Sequence, residues 1–168
     1  GFSYSESIIK LSPQSSFPFL SISSSSMNLV IVESCSMHHD EELETILKNK
    51  IYSDFNISLE DTKNWNFKKG FTKGDIIFSI APKKIEVGDV IIFNPNEKKV
   101  RYPIIHRVIR KKETITTKGD NNNGLLSYEK EIYPEQVLAK SVFRIPYLGW
   151  IKLIFFDWQK PSEQRGFC

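Results

Sequence analysis

This 168-residue chain is poor in several features that would assign a function directly. It holds two cysteines, Cys35 and Cys168, 168 − 35 = 133 positions apart and without metal-ligand spacing. Neither a metal site nor a disulfide framework is therefore expected; Cys35 reads as a buried thiol and Cys168 as a fraying terminal residue. Long apolar runs are missing too. The stretch from Phe17 to Val32 is broken by consecutive serines and falls short of the roughly 20 apolar residues of a membrane span. No basic segment leads into a clean apolar one, so a secretory signal peptide is not expected. Charge of one sign is scarce, with 23 Lys and Arg against 20 Asp and Glu. The local basic run around Lys98, Arg107 and Lys112 flanks strand-like residues and reads as a solvated hairpin, so nucleic acid is not an expected partner.

What is present divides into three parts. Residues 1–27 form a serine-rich tail, expected to be disordered or the remnant of a membrane-anchor region, with Met27 opening the readable domain. Residues 28–157 are expected to be one catalytic domain, in which 38–72 is a helical insertion, and 158–168 a C-terminal tail. In "DEELETILKNKIY", residues 40–52, Leu43, Ile46, Leu47 and Ile51 share a stripe, which predicts a helix capped by Asp40. A loop with a short helix after Ser58 follows. From Asp75 the pattern becomes short β-rich runs: "DIIFSI", "DVIIFNP", "IIHRVIRK", "TITTKGD" and "VFRIPYLGWIKLIFF". Turn residues bound each of them, predicting a mainly β, antiparallel domain. No helices alternate with these strands, which excludes a doubly wound α/β fold.

Three places could carry chemistry. The run Leu29 to Val32 delivers the chain to Ser34 and Ser36, either as a polar turn ending a strand or as a nucleophile at the lip of a groove. His106 lies in "YPIIHRVI", sharing a strand face with Ile104 and Val108 while Arg107 faces the other way. Taken alone it reads as a satisfied core histidine, although a buried neutral imidazole is also a competent general base. Asp120, in "TKGDNNNG", sits where a tight turn needs Gly, Asp and Asn, and a carboxylate held there could orient a histidine. A hydroxyl, an imidazole and an acid are the parts of a serine hydrolase.

In this order, "ESCSM", "GDIIFSI" or "GDVIIFNP", "YPIIHRVI", "TKGDNN" and "IPYLGWIKLI" resemble the type I signal peptidases of the archaeal and endoplasmic-reticulum branch, over about residues 29–155. That branch has histidine where the bacterial enzymes have lysine. The resemblance implies a serine endopeptidase that removes N-terminal signal peptides from translocated preproteins. Ser36, before Met37, would be the nucleophile and His106 the general base. Asp120 would orient His106, and Ser34 with the Ser36 backbone N–H would form the oxyanion hole. It implies no cofactor and no metal. The implied partners are preprotein signal peptides, the membrane surface and the translocation machinery, with the catalytic domain membrane-associated on the extracytoplasmic or lumenal side.

The chain also departs from that pattern. Cys35 stands where glycine is frequent, and Leu126 where a further aspartate completes the catalytic group, with Ser127 and Glu129 as nearby substitutes. The insertion 38–72 replaces a short turn, and forms either a cap beside the groove or a solvent-facing excursion. The tail "YLGWIKLIFFDW" reads as a last strand or an interfacial aromatic edge. The rival readings are a catalytically inactive β domain that binds extended peptides and a self-cleaving repressor-type serine protease, the latter disfavoured because it uses lysine as base.

Overall fold

A computed structural model describes residues 9–10, 27–40, 42–98, 100, 102–155, 157–159, 162 and 165–168. Apart from Ile9, Lys10 and Met27, the expected N-terminal tail lies outside the described residues, as do Lys99 and Arg101, which follow Lys98 in the local basic run.

The strands are β1 (Ile9–Lys10), β2 (Asn28–Val32), β3 (Ile76–Ile80), β4 (Val90–Phe93), β5 (Ile104–Lys111), β6 (Ile115–Lys118) and β7 (Val137–Ile145). They form one sheet in the order β1-β2-β3-β7-β4-β5-β6, every neighbouring pair antiparallel. The domain is mainly β, as expected. Register shifts fall between Phe78 and Ser79, Ile92 and Phe93, and Val108 and Arg110. An extra residue at such a point bends and twists a strand. The sheet curls accordingly: Val30 and Val32 of β2 pack with Ile92 of β4 and Ile105 of β5, strands that are not neighbours in the sheet.

β4 and β5 are buried on both faces. Ile105 joins the inner cluster, whereas Ile91, Phe93, Ile104 and Val108 join a second one with Ile115 and Ile132. Burial on both sides explains why "VIIF" and "IIHRVI" read as unbroken apolar runs rather than alternating ones. A turn precedes β3 and another precedes β4, each fastened by an aspartate three residues after the amide it accepts from: Thr72 N donates to Asp75 (2.9 Å) and Glu86 N to Asp89 (2.8 Å).

The insertion departs from its expected form. The helix predicted over 40–52 is two short ones, α1 (Leu43–Ile46) and α2 (Lys50–Asp54). Asn49 breaks it, because its side chain caps α2 by accepting from Ile51 N at 3.1 Å and its extended backbone ends the preceding turn. Asp40 caps neither. The apolar stripe still faces inward, Leu43, Tyr52 and Trp65 packing on Ile109 of β5 with Ile46, Leu47 and Ile51 at their edge. A 3-10 turn over Asp61–Asn64 follows.

Two expectations at the C-terminal end are overturned. The stretch after β7 is not strand but a helical turn, α3 (Trp150–Leu153), since Gly149 and Trp150 enter it through turns at Tyr147 and Leu148. Cys168 does not fray: it is disulfide-bonded to Cys35, with Lys73 N donating to its sulfur at 3.3 Å and Phe167 lying 4.3 Å from the Trp150 ring. The aromatic contact returns the chain to the end of β2, a meeting that no spacing between the two cysteines could announce.

Candidate active site

The segment after β2 is fastened from three directions. Gly74 N donates to Val32 O (2.9 Å), so the ladder with the β3 side continues to the last residue of β2. His38 N closes a turn onto Cys35 O at 3.0 Å. Met37 is 1% exposed and sits in the inner core with Phe71 and Val30, so its side chain anchors the serine before it. The turn at residues 119–123 supplies the third fastening: Asn121 N donates to Ser36 O (2.8 Å) and Asn121 Nδ2 to Cys35 O (3.0 Å).

Ser36 Oγ lies 3.0 Å from His106 Nε2. His106 is buried in β5, and its Nδ1 lies 2.5 Å from Glu129 Oε1. Glu129 stands on a 3-10 turn, Ser127–Glu129, and is itself fully engaged: Gly119 N donates to Oε1 (3.0 Å) and Leu126 N to Oε2 (2.7 Å). A carboxylate at Nδ1 keeps the proton on that nitrogen and leaves the Nε2 lone pair facing the serine hydroxyl. The arrangement can accept the Ser36 proton and stabilise the imidazolium that results. Gly119 permits the close approach, since a Cβ there would meet His106 Nε2 at 2.8 Å and Ser36 O at 2.9 Å.

Asp120 does not stand behind His106. Its carboxylate accepts from Arg107 Nε (2.9 and 3.1 Å) and Nη2 (2.7 Å), and His39 Nε2 lies 3.6 Å away. The reason is the alternation of β5: His106 and Arg107 point to opposite faces, and the 119–123 turn delivers its carboxylate to the arginine side. Burial pushes the Asp120 carboxyl up, but Arg107 and His39 outweigh it and hold the group down at about 2. Glu129, named at first only as a substitute for the missing aspartate at Leu126, is the carboxylate that reaches the imidazole. The signal for it is faint, a glutamate three residues after Leu126 in the spacing by which a side chain returns to the first amide of a turn. Ser127 turns away, donating to Glu97 at 2.8 Å.

Ser34 Oγ lies 3.4 Å from Ser36 Oγ and 3.5 Å from the Ser36 amide, so one hydroxyl and one N–H border the same space. His38 lies 3.5 Å from Asp40, apart from the serine. With His39, Asn49 and residues Asp120–Asn123 these two line an open polar cavity of about 530 Å³ beside the site. Among the described residues, no group of histidine, cysteine and carboxylate side chains is arranged to hold a metal ion. No described helix is long and apolar enough to cross a membrane.

Comparison with known proteins agrees with the resemblance read from the motifs. The chain is 28% identical to the signal peptidase complex catalytic subunit SEC11 of Fusarium vanettenii, over 55% of this chain and 60% of that one. It is 33% identical to the protein of the same name in Plasmodium falciparum, over half of each, and 32% identical to that of Saccharomyces cerevisiae, over 52% of this chain and 59% of the relative. The chain thus has homologues among signal peptidase complex catalytic subunits, and it spans between half and two thirds of their length. No family model matches it, and no solved structure does.

Proposed function

We propose that this protein is a serine endopeptidase of the signal-peptidase type, cleaving N-terminal signal peptides from translocated preproteins, with Ser36 as nucleophile and His106 as general base. The observation that carries the reading is the run of contacts from Ser36 through His106 to Glu129, buried at the end of β2 and assembled from three separate parts of the chain. Its similarity to signal peptidase catalytic subunits supports the substrate class.

In the first step, Ser36 Oγ attacks the scissile carbonyl carbon as its proton passes to His106 Nε2. The charge that develops on the carbonyl oxygen is assigned to the Ser36 N–H, which at rest makes a long 3.5 Å hydrogen bond to Ser34 Oγ, and to the Ser34 hydroxyl, whose proton can rotate toward it. His106 then gives the proton to the leaving amine, and a water activated by the same imidazole hydrolyses the acyl-enzyme. Glu129 positions the ring and balances its charge. Asp120 acts at one remove, holding through Arg107 the turn whose Asn121 braces the Ser36 carbonyl.

The substrate enters as an added strand. β6 pairs with β5 only from Arg107 onward, so Ile104 to His106 are left unpaired by β6 although their side chains are buried. An extended peptide laid there gains main-chain hydrogen bonds, with alternate side chains entering shallow pockets, which suits the small residues before the cut that the resemblance implies. We assign catalysis to residues 28–157. An exposed apolar surface that includes Leu29, Phe143, Ile151, Ile154, Phe155 and Trp158 would face the membrane on the extracytoplasmic or lumenal side, near the translocation machinery and the other subunits of a complex.

Cleavage of a preprotein by wild type, Ser36→Ala and His106→Ala forms tests the assignment. Each alanine form is expected to lose at least about four orders of magnitude in kcat. Equal cleavage by all three ends it, and peptide binding without cleavage by the wild type favours the binding module instead.

A further inference from the structure

We infer that the 38–72 insertion is a positioning element of the reaction: Tyr52 and Trp65 cover the buried cations Lys118 and Arg107, and through them fix the 119–123 turn against Ser36 and His106. The inference rests on the reading of Ser36 and His106 as the reacting pair.

Arg107 and Lys118 are cross-strand partners on β5 and β6, and neither is exposed. A cation taken out of water is costly unless its donors are satisfied and something replaces the lost hydration. The insertion supplies an aromatic face to each cation and two of the carbonyls that accept from Arg107. The Arg107 guanidinium lies 5.2 Å from the Trp65 ring centre, and it donates to Asn66 O (2.9 Å) and Phe67 O (2.8 Å), both insertion carbonyls, as well as to Gly88 O (3.0 Å). The Lys118 ammonium lies 5.1 Å from the Tyr52 ring centre, itself 6.5 Å from that of Trp65. The close fit of Trp65 explains a glycine at 88, where φ is +96° and a Cβ would meet the indole at 2.2 Å.

Both cations then act on the same turn. Lys118 Nζ donates to Gly119 O (3.0 Å) and Asn122 O (2.7 Å), Arg107 holds the Asp120 carboxylate, and Asn49 Nδ2 of the insertion donates to Asn123 O (3.1 Å). Gly119, Asp120, Asn122 and Asn123 are thus each held by the insertion or by a cation it covers. The intervening Asn121 is the residue that braces the Ser36 carbonyl, and Gly119 N shares Glu129 with His106. Burial pushes the Lys118 ammonium down, and the charges of Asp120 and Glu129 push it back up.

The test compares Tyr52→Leu, Tyr52→Phe and Trp65→Leu by kinetics and by amide hydrogen exchange. Leucine at 52 is expected to lower kcat about tenfold with KM nearly unchanged, and to speed exchange at Asn121 about tenfold while Ile92 in β4 exchanges as in wild type. Trp65→Leu should act in the same direction, and Tyr52→Phe, which keeps the ring over the ammonium and loses only the hydroxyl beside Asp120, should lie much nearer wild type than Tyr52→Leu in both readouts. Exchange that rises equally at Ile92, an unchanged Asn121, or a phenylalanine form as impaired as the leucine form overturns the inference. Selective loosening of the turn in a protein without Ser36-dependent cleavage overturns the peptidase reading instead, leaving the role of the insertion in shaping the turn intact.

Discussion

Adjacent residues of β5 face two different carboxylates, and the difference lies in what the base beside each one can do. Arg107 meets Asp120 as a cation that does not titrate, and both side chains are fully buried with several mutual hydrogen bonds. His106 meets Glu129 through a ring that can gain and lose a proton with little rearrangement. The first pair is a fixed brace, the second a place where charge can appear during a reaction. Loss of charge should therefore show in the rate on one side of the strand and in stability on the other.

The largest effect is expected on the histidine side. Glu129→Gln should leave the fold recognisable by circular dichroism yet lower kcat by about 10³–10⁴-fold, because a neutral partner no longer favours the imidazolium or its tautomer. A rate close to wild type would erase the distinction. On the arginine side, Arg107→Met strands Asp120 in the interior. Denaturant unfolding should show a loss of about 3–5 kcal/mol, and a loss below 1 would mean that the brace is ornamental.

The brace at Asp120 also carries a pH dependence. Asp120 is held at about 2, below its ordinary 3.8, so the native state favours its charged form. Its contribution to stability is fully present above about pH 4 and is lost as pH falls through about 2, a loss of about 2 kcal/mol. Asp120→Asn should flatten that acid limb in unfolding measured against pH. The smallest change is expected from Ser127→Ala, since the contact its hydroxyl makes with Glu97 is exposed. Stability should move by no more than about 0.5 kcal/mol and kcat not at all; a large drop in kcat would return Ser127 to consideration as the third group.

How much of this could be read beforehand depends on the range over which each feature is encoded. Strands β2 to β6 were legible because each is a local apolar run between turn residues, whereas β1 fell in the serine-rich tail and β7 begins at Val137, ahead of the run read for it. Ser36 and His106 were legible as candidates because each lies within or just after such a run. The partners of the two acids were not. Whether Asp120 meets His106 or Arg107 depends on which face of β5 a later turn approaches, and residue order carries no record of that. Glu129 sits in a three-residue turn too short for any period. The single helix expected over 40–52 failed for a local reason, since Asn49 fits the stripe's gap but prefers to cap a new turn. Nothing local marks Trp65 and Tyr52, because the charges they cover lie on another part of the chain.

The Cys35–Cys168 bond has a topological consequence. It closes residues 35–168 into a ring, and Ser36, His106, Asp120 and Glu129 all lie on it. A protease that cuts the exposed loop around Lys83 would open the ring without dividing it, so the nicked protein would remain one molecule on a non-reducing gel and separate only after reduction. The groups brought together in space at the end of β2 are also tied together covalently, whichever single surface loop is severed.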